Sequence, residues 1–199
     1  MSAVDLPGIM DSSMNTHAIM RGSRANGPGV RYVIWFQGCS IRCPGCFNPG
    51  THSHEPRLTM QVEALVADIA SLSGEIEGVT ISGGEPLEQM DGLLALLRGI
   101  REQTSLTVIL FTGYTYEEIV RMPDADELLR LVDVLIAGRY DHTRRTARGL
   151  MGSSNKTVHF LTDSYSQADL DVVPQLEIVI LPDGTVIESG IDPKPGGCF

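Results

Sequence analysis

Three of the chain's four cysteines fall within eight positions, in GCSIRCPGCFNPG (residues 38–50). They are Cys39, Cys43 and Cys46, spaced Cys-x3-Cys-x2-Cys. Three thiolates on one tight loop can hold three corners of a 4Fe–4S cube. The fourth iron then lacks a protein thiolate and is open to a ligand, whereas electron-transfer clusters usually carry four. The glycines and prolines around them (Gly38, Pro44, Gly45, Pro49, Gly50) let backbone wrap closely, so that N–H groups can donate to sulfur. Two other chemistries fit the cysteines alone. A zinc site wants four ligands, and His52, His54 or the remote Cys198 could supply the fourth. A redox dithiol could use Cys43 and Cys46, leaving Cys39 idle.

The elements that must position this loop read as an alternating α/β pattern. RYVIWFQ (31–37) is a buried strand that runs straight into the cysteines. Apolar residues then recur at helical spacing from Val62 to Leu72, with Thr59 as N-cap and Gly74 closing the helix. GVTIS (78–82), LTVILF (106–111) and VDVLIAG (132–138) are three more strands. Leu87 to Gln103 lies between the first two of these as a helix. Thr115 and Glu118 form a capping box that opens a third helix, broken at Pro123 and resumed from Asp124. Short continuous apolar strands alternating with helices indicate a parallel sheet covered on both faces. In such sheets ligands sit beyond the carboxyl ends of the strands. The informative residues are there: the cysteines, then Gly83-Gly84-Glu85-Pro86, then Thr112-Gly113-Tyr114, then Arg139. Residues 1–25 read as an irregular N-terminal segment, 26–165 as the main domain, and 166–199 as a β-hairpin around Asp183-Gly184 with a tail.

Composition bounds the function. The chain has 199 residues, 42% of them apolar, enough for one core. No run approaches the roughly 18–20 apolar residues of a membrane span, and the N-terminus lacks a secretory pattern. The expectation is a cytoplasmic protein with no membrane partner. Four cysteines are too few for a disulfide framework. A net charge of −10 argues against nucleic acid. The charge is uneven, however. Residues 12–58 hold five arginines (Arg21, Arg24, Arg31, Arg42, Arg57) and one acid, and a second basic group is Arg139, Arg144, Arg145 and Arg148. Such segments suit an anionic ligand or an acidic partner, or are ordinary surface variation.

Several motifs in order carry a resemblance. CSIRCPGC followed by ISGGEP resembles the radical S-adenosylmethionine superfamily. NGPGVRYVIWFQGCSIRCPGCFNPGTH, GVTISGGEPLEQ, FTGYTYEEI, VDVLIAGRYD and GSSNKTVHFL are similar to the branch of anaerobic ribonucleotide reductase activating proteins and their close relatives. The resemblance implies a partial (β/α) barrel with a C-terminal β-hairpin extension. It implies a 4Fe–4S cluster on Cys39, Cys43 and Cys46, and S-adenosylmethionine chelating the open iron. The loop Gly83, Gly84, Glu85, Pro86 would meet the methionyl amino group, and Thr112 and Tyr114 would lie beside the cofactor. Arg139 would pair with its carboxylate. Ser153, Ser154 and Asn155 would sit near cofactor or substrate, and Phe47 near the adenine. No residue is singled out as a protein acid or base, because the cofactor carries the hard step. The implied reaction is reductive cleavage to methionine and a 5′-deoxyadenosyl radical, which takes hydrogen from a glycine of a glycyl radical enzyme such as anaerobic ribonucleotide reductase. Flavodoxin or ferredoxin would supply the electron. A radical enzyme acting on a peptide or small molecule, and a non-catalytic iron–sulfur module, are the alternatives.

Overall fold

A computed structural model describes residues 12–191. Its centre is a seven-stranded sheet in the order β3-β1-β2-β4-β5-β6-β9. The strands are β1 (Ser13–Ser23), β2 (Arg31–Phe36), β3 (Leu58–Gln61), β4 (Gly78–Gly83), β5 (Thr107–Phe111), β6 (Val134–Ala137) and β9 (Thr157–Phe160). The four strands read from the sequence, β2, β4, β5 and β6, form the parallel middle. Antiparallel strands flank it on both sides, β1 and β3 on one and β9 on the other. The molecule is therefore α/β with a mixed sheet.

All six residues of β2 are buried, because both faces of the sheet are covered. Tyr32, Ile34 and Phe36 point into the main core with Val79, Ile81, Val108 and Leu110. That core is closed by α1 (Val62–Ser71) and α2 (Met90–Gln103), through Leu65, Val66 and Ile69 on one helix and Leu93, Leu97 and Ile100 on the other. Full burial of each such side chain contributes about 1.5–3 kcal/mol. The helices touch closely: a Cβ on Gly99 would stand 2.6 Å from Val66 Cγ2. On the opposite face Ile109, Val134 and Ile136 pack with Leu150 and Leu170, the latter on α5 (Gln167–Asp171).

Two expectations are corrected. The segment up to residue 25, read as irregular, contains the eleven-residue β1. Its apolar alternation is weak, and its pairing comes from β2 and from β3, far along the chain. Thr59 is not an N-cap: it lies in β3 opposite Asn15, and Gln61 occupies the N-cap position. The Thr115–Glu118 capping box is present at the start of α3 (Tyr116–Ile119), and α4 (Ala125–Arg130) follows Pro123. A two-stranded ribbon, β7 (Arg145–Arg148) and β8 (Met151–Ser153), was not read from the sequence.

The C-terminal hairpin is present as β10 (Leu176–Ile180) and β11 (Val186–Gly190). It is latched to the start of the parallel sheet. The Glu177 carboxylate accepts from the Ser23 hydroxyl and, at 2.9 Å, from the Arg24 N–H. Asn26 Nδ2 donates to Ser23 Oγ at 2.7 Å and to Ser189 Oγ at 2.6 Å. Arg31 ties β2 to β4, β5 and Tyr165 rather than to the hairpin. It is fully buried, and its guanidinium donates to the Thr80 and Thr107 hydroxyls, to Tyr165 OH and to the Val79 and Thr107 carbonyls. Burial pulls its pKa down, and these neutral acceptors replace the water it lost.

Candidate active site

The cysteine loop begins where β2 ends. Gly38 adopts φ +102°, which turns the chain out of the strand. Its N–H donates to Thr51 O at 2.8 Å, so the loop's two ends are joined. Arg42 (φ +48°) and Gly45 (φ +71°) fold the loop's tip, and Cys46 N donates to Cys43 O at 3.1 Å. All three cysteines are unbridged and half-buried. Burial pushes the Cys39 and Cys46 thiols up, opposed by backbone N–H groups of Arg42 and Ile41 at Cys39 and of Asn48 at Cys46. Those N–H groups are the donors a sulfur-bound cluster needs.

The glycine loop after β4 is fastened to it by backbone alone. Gly84 N donates to Phe36 O and Glu85 N to Gly38 O, both at 2.8 Å. A Cβ on Gly84 would stand 2.2 Å from Gly38 O, and one on Gly83, at φ +103°, 2.4 Å from Phe36 N. Two glycines are therefore required for the two loops to meet.

Glu85 is 1% exposed. Its Oε1 accepts from Thr112 Oγ1 at 2.8 Å and Leu87 N at 3.0 Å, and its Oε2 from Gly113 N at 2.7 Å. Burial raises its pKa to about 7 against the pull of those three donors. The carboxylate thus joins the loop after β4 to the loop after β5. Lys156 joins the next pair. Its ammonium donates to Gly138 O and lies 3.5 Å from Thr112 O. Burial lowers its pKa, with Cys43, Glu85 and Cys46 the negative groups that oppose.

One pocket results. Cys39, Cys43, Cys46, Phe47, Gly83, Gly84, Glu85 and Thr112 all line it, as does Lys156. The other expected residues do not line it. Pro86 is buried at the start of a short 3-10 turn. Arg139 pairs with Glu118 at 2.6 Å and lies over the Tyr114 ring. Ser153 Oγ accepts from Asp141 N at 3.2 Å, and Asn155 Nδ2 donates to Arg139 O at 2.9 Å. Ser154 is exposed. Of the histidines weighed as a fourth ligand, His54 lies against Ser40 and Glu88. His52 lines the pocket with its Nε2 buried and without a partner among the described residues. Cys198 lies outside the described residues.

Sequence reasoning passed over Lys156, though it directly follows the GSSN stretch. It also passed over Asn26 and the wall that the hairpin supplies through Ser189, Gly190 and Ile191. Trp35 forms part of the pocket, while Phe36 is core. The donor set suits the implied groups. Three free thiols with backbone donors suit an iron–sulfur cluster. A buried ammonium, an unpartnered imidazole nitrogen and glycine-lined backbone suit an amino-acid-bearing cofactor.

Comparison with known proteins agrees. A protein family described as a 4Fe-4S single cluster domain matches residues 25–159. The chain is 31% identical over 163 residues to the anaerobic ribonucleoside-triphosphate reductase-activating protein of Enterobacteria phage T4, covering 78% of this chain and 100% of that one. The protein of that name from Escherichia coli (strain K12) is 30% identical over 157 residues, 74% of this chain and 99% of that one. The pyruvate formate-lyase-activating enzyme of Clostridium pasteurianum is 36% identical over 115 residues, 54% of this chain and 48% of that one. The chain belongs to this single-cluster 4Fe–4S family and is a radical S-adenosylmethionine activating enzyme, with a 4Fe–4S cluster and S-adenosylmethionine as its cofactors.

Proposed function

We propose that this chain activates a glycyl radical enzyme by reductive cleavage of S-adenosylmethionine, with the sheet serving as a partial (β/α) barrel and the hairpin appended to it. The observation that carries the reading is the single pocket in which three free thiols, the glycine loop and Lys156 meet. The names of the relatives favour a glycyl radical enzyme as partner, an anaerobic ribonucleotide reductase first. Bound together, the cluster and S-adenosylmethionine supply one-electron cleavage of the sulfonium and a carbon radical that takes hydrogen from glycine.

The chain's own residues bind, orient and enclose. Cys39, Cys43 and Cys46 would hold the cluster. Carbonyls of the Gly83–Gly84 loop would accept from the methionyl ammonium, and Glu85 holds that loop against Thr112 and Gly113. Phe47 would serve the adenine. Pro86, Tyr114, Arg139, Ser153, Ser154 and Asn155 fix the loops from behind. Trp35, Phe111 and Leu150 exclude water from the reacting centre. A flavodoxin or ferredoxin type carrier supplies the electron. We place the protein in the cytoplasm, where free thiols persist; among the described residues no helix is long and apolar enough to cross a membrane.

One observation favours a second reading, radical modification of a peptide or small molecule. The hairpin lies outside the family-matched residues 25–159, yet it forms part of the pocket wall. The test is anaerobic. The reconstituted protein, reduced with dithionite, should form 5′-deoxyadenosine from S-adenosylmethionine, and a Cys43→Ala variant should not. Adding the glycyl radical enzyme from the same genome should give a glycyl radical signal. Cleavage without that signal for any such enzyme would favour the second reading, and a full cluster without cleavage would refute both.

A further inference from the structure

The first basic segment noted in the sequence does not form one surface. Arg21 pairs with Asp68, Arg31 is buried, and Arg57 lies against His17. The second does. Residues 139–148 hold four arginines and one acid, a net +3, so the remaining residues carry −13 to reach the chain's −10. Most of this stretch is β7 and the turn before it, and it packs on the cysteine loop. The Arg145 guanidinium lies 5.0 Å from the centroid of Phe47, the residue after Cys46. The Tyr140 ring is 4.4 Å from Phe47. A Cβ on Gly45 would stand 3.1 Å from His142 Cβ, and one on Gly152 of β8 2.5 Å from the Phe47 ring. Outward from these contacts Arg42, Pro44 and Gly45 of the loop are exposed, as are His142, Thr143 and Arg144. The loop's outer side and the basic ribbon are thus one continuous surface.

We infer that this surface is the docking site of an acidic one-electron carrier protein. The inference rests on the activase reading above and names where its electron enters. Among the described residues Arg42, Arg139, Arg144 and Arg148 stand here with three acids, Glu118, Asp141 and Asp171, and Arg145 lies over the Phe47 ring. Arg144 and Arg148 are 62% and 76% exposed, and their pairs with Asp141 (3.7 Å) and Asp171 (3.1 Å) are surface pairs. Such pairs are worth little and exchange readily for a partner's carboxylates. Elsewhere the surplus of acid repels an acidic carrier, so the field steers it to the ribbon. The position suits electron entry rather than substrate delivery, because the ribbon covers the outer side of the loop that holds the thiols. On docking, one electron leaves the carrier, which is oxidised by one, and enters the cluster, which is reduced by one; no bond forms or breaks.

The test compares the reconstituted wild type with the double variant Arg144→Gln/Arg148→Gln, neither residue being on the pocket wall. Reduced flavodoxin is the probe, and loss of the cluster's visible absorbance gives the second-order rate. The variant should be reduced about 5- to 10-fold more slowly at low salt, and the gap should close as salt screens the field. Dithionite should reduce both clusters alike and give equal 5′-deoxyadenosine. Equal flavodoxin rates at low salt would overturn the inference. So would a loss of the same size with dithionite, which would place the arginines' effect on the cluster itself. A variant that loses only glycyl radical formation, with flavodoxin rates intact, would assign the ribbon to the protein substrate instead. Failure of the activase reading is separate: the wild type would then form no 5′-deoxyadenosine even with dithionite.

Discussion

Replacing Glu85 by Gln tests the electrostatics of the glycine loop. In the folded chain burial holds this carboxyl at about 7, against 4.5 when exposed. The folded state therefore binds the proton more tightly than the unfolded state. The stability linked to it is fully present below pH 4.5 and is lost as pH rises through about 7. At about 1.4 kcal/mol per pH unit the whole loss is about 3 kcal/mol, of which about 2 kcal/mol falls between about pH 5.5 and pH 8. Gln cannot ionise, so the variant lacks this slope. His52 and His159, both shifted down by burial, titrate in both proteins and cancel in the difference. The assay is reversible unfolding of the cluster-free, reduced protein at both pH values. Relative to Glu85→Gln, the wild type should lose about 2 kcal/mol on going to the higher pH, or about 4–8 °C in Tm. A difference that does not change with pH would refute the reasoning. It would mean that the donors from Thr112, Gly113 and Leu87 outweigh burial and keep the carboxylate ionised throughout.

Three further outcomes follow from the packing. Gly84→Ala forces a Cβ to 2.2 Å from Gly38 O, so it should cost about 2 kcal/mol or more and lower the iron content after reconstitution, read by denaturation and iron analysis. Asn26→Ala removes the donation to Ser189 that latches the hairpin, together with the local donation to Ser23 Oγ, and should cost about 1–3 kcal/mol while speeding proteolysis within residues 174–191. Lys156→Met removes a buried positive charge from the pocket that holds the three thiols. The cluster should then become harder to reduce, its midpoint moving to more negative potential in a spectroscopic titration; an unchanged potential would place the ammonium too far from the cluster to matter.

The sequence by itself marked Cys39, Cys43 and Cys46 as a candidate ligand set, because ligand type and spacing are local properties of one loop; the iron–sulfur reading over zinc or a dithiol came from the ordered motifs beyond it. It determined β2, β4, β5 and β6 as well, since a strand buried on both faces reads as a near-continuous apolar run. The capping box of Thr115 and Glu118 was legible for the same reason, both partners lying within one turn. What only the tertiary structure decided is set by partners distant in the chain. SMNTHAIMRGS and LTMQ become strands because β1 finds β2 on one side and β3 on the other. Arg31, read as part of a basic surface, is buried because Thr80, Thr107 and Tyr165 converge on it from three places in the sequence. Glu85 was legible as a motif residue, but its tie to Thr112 and Gly113 was not. Lys156 sits inside the GSSNKTVHFL motif, but nothing local shows that its ammonium turns into the pocket; Ser189 carries no periodic or motif signal, and it bonds Asn26, 163 residues away. Spacing along the chain fixes which atoms are available as ligands; folding decides which side chains close around them, because burial and hydrogen bonding depend on distances that sequence separation does not set.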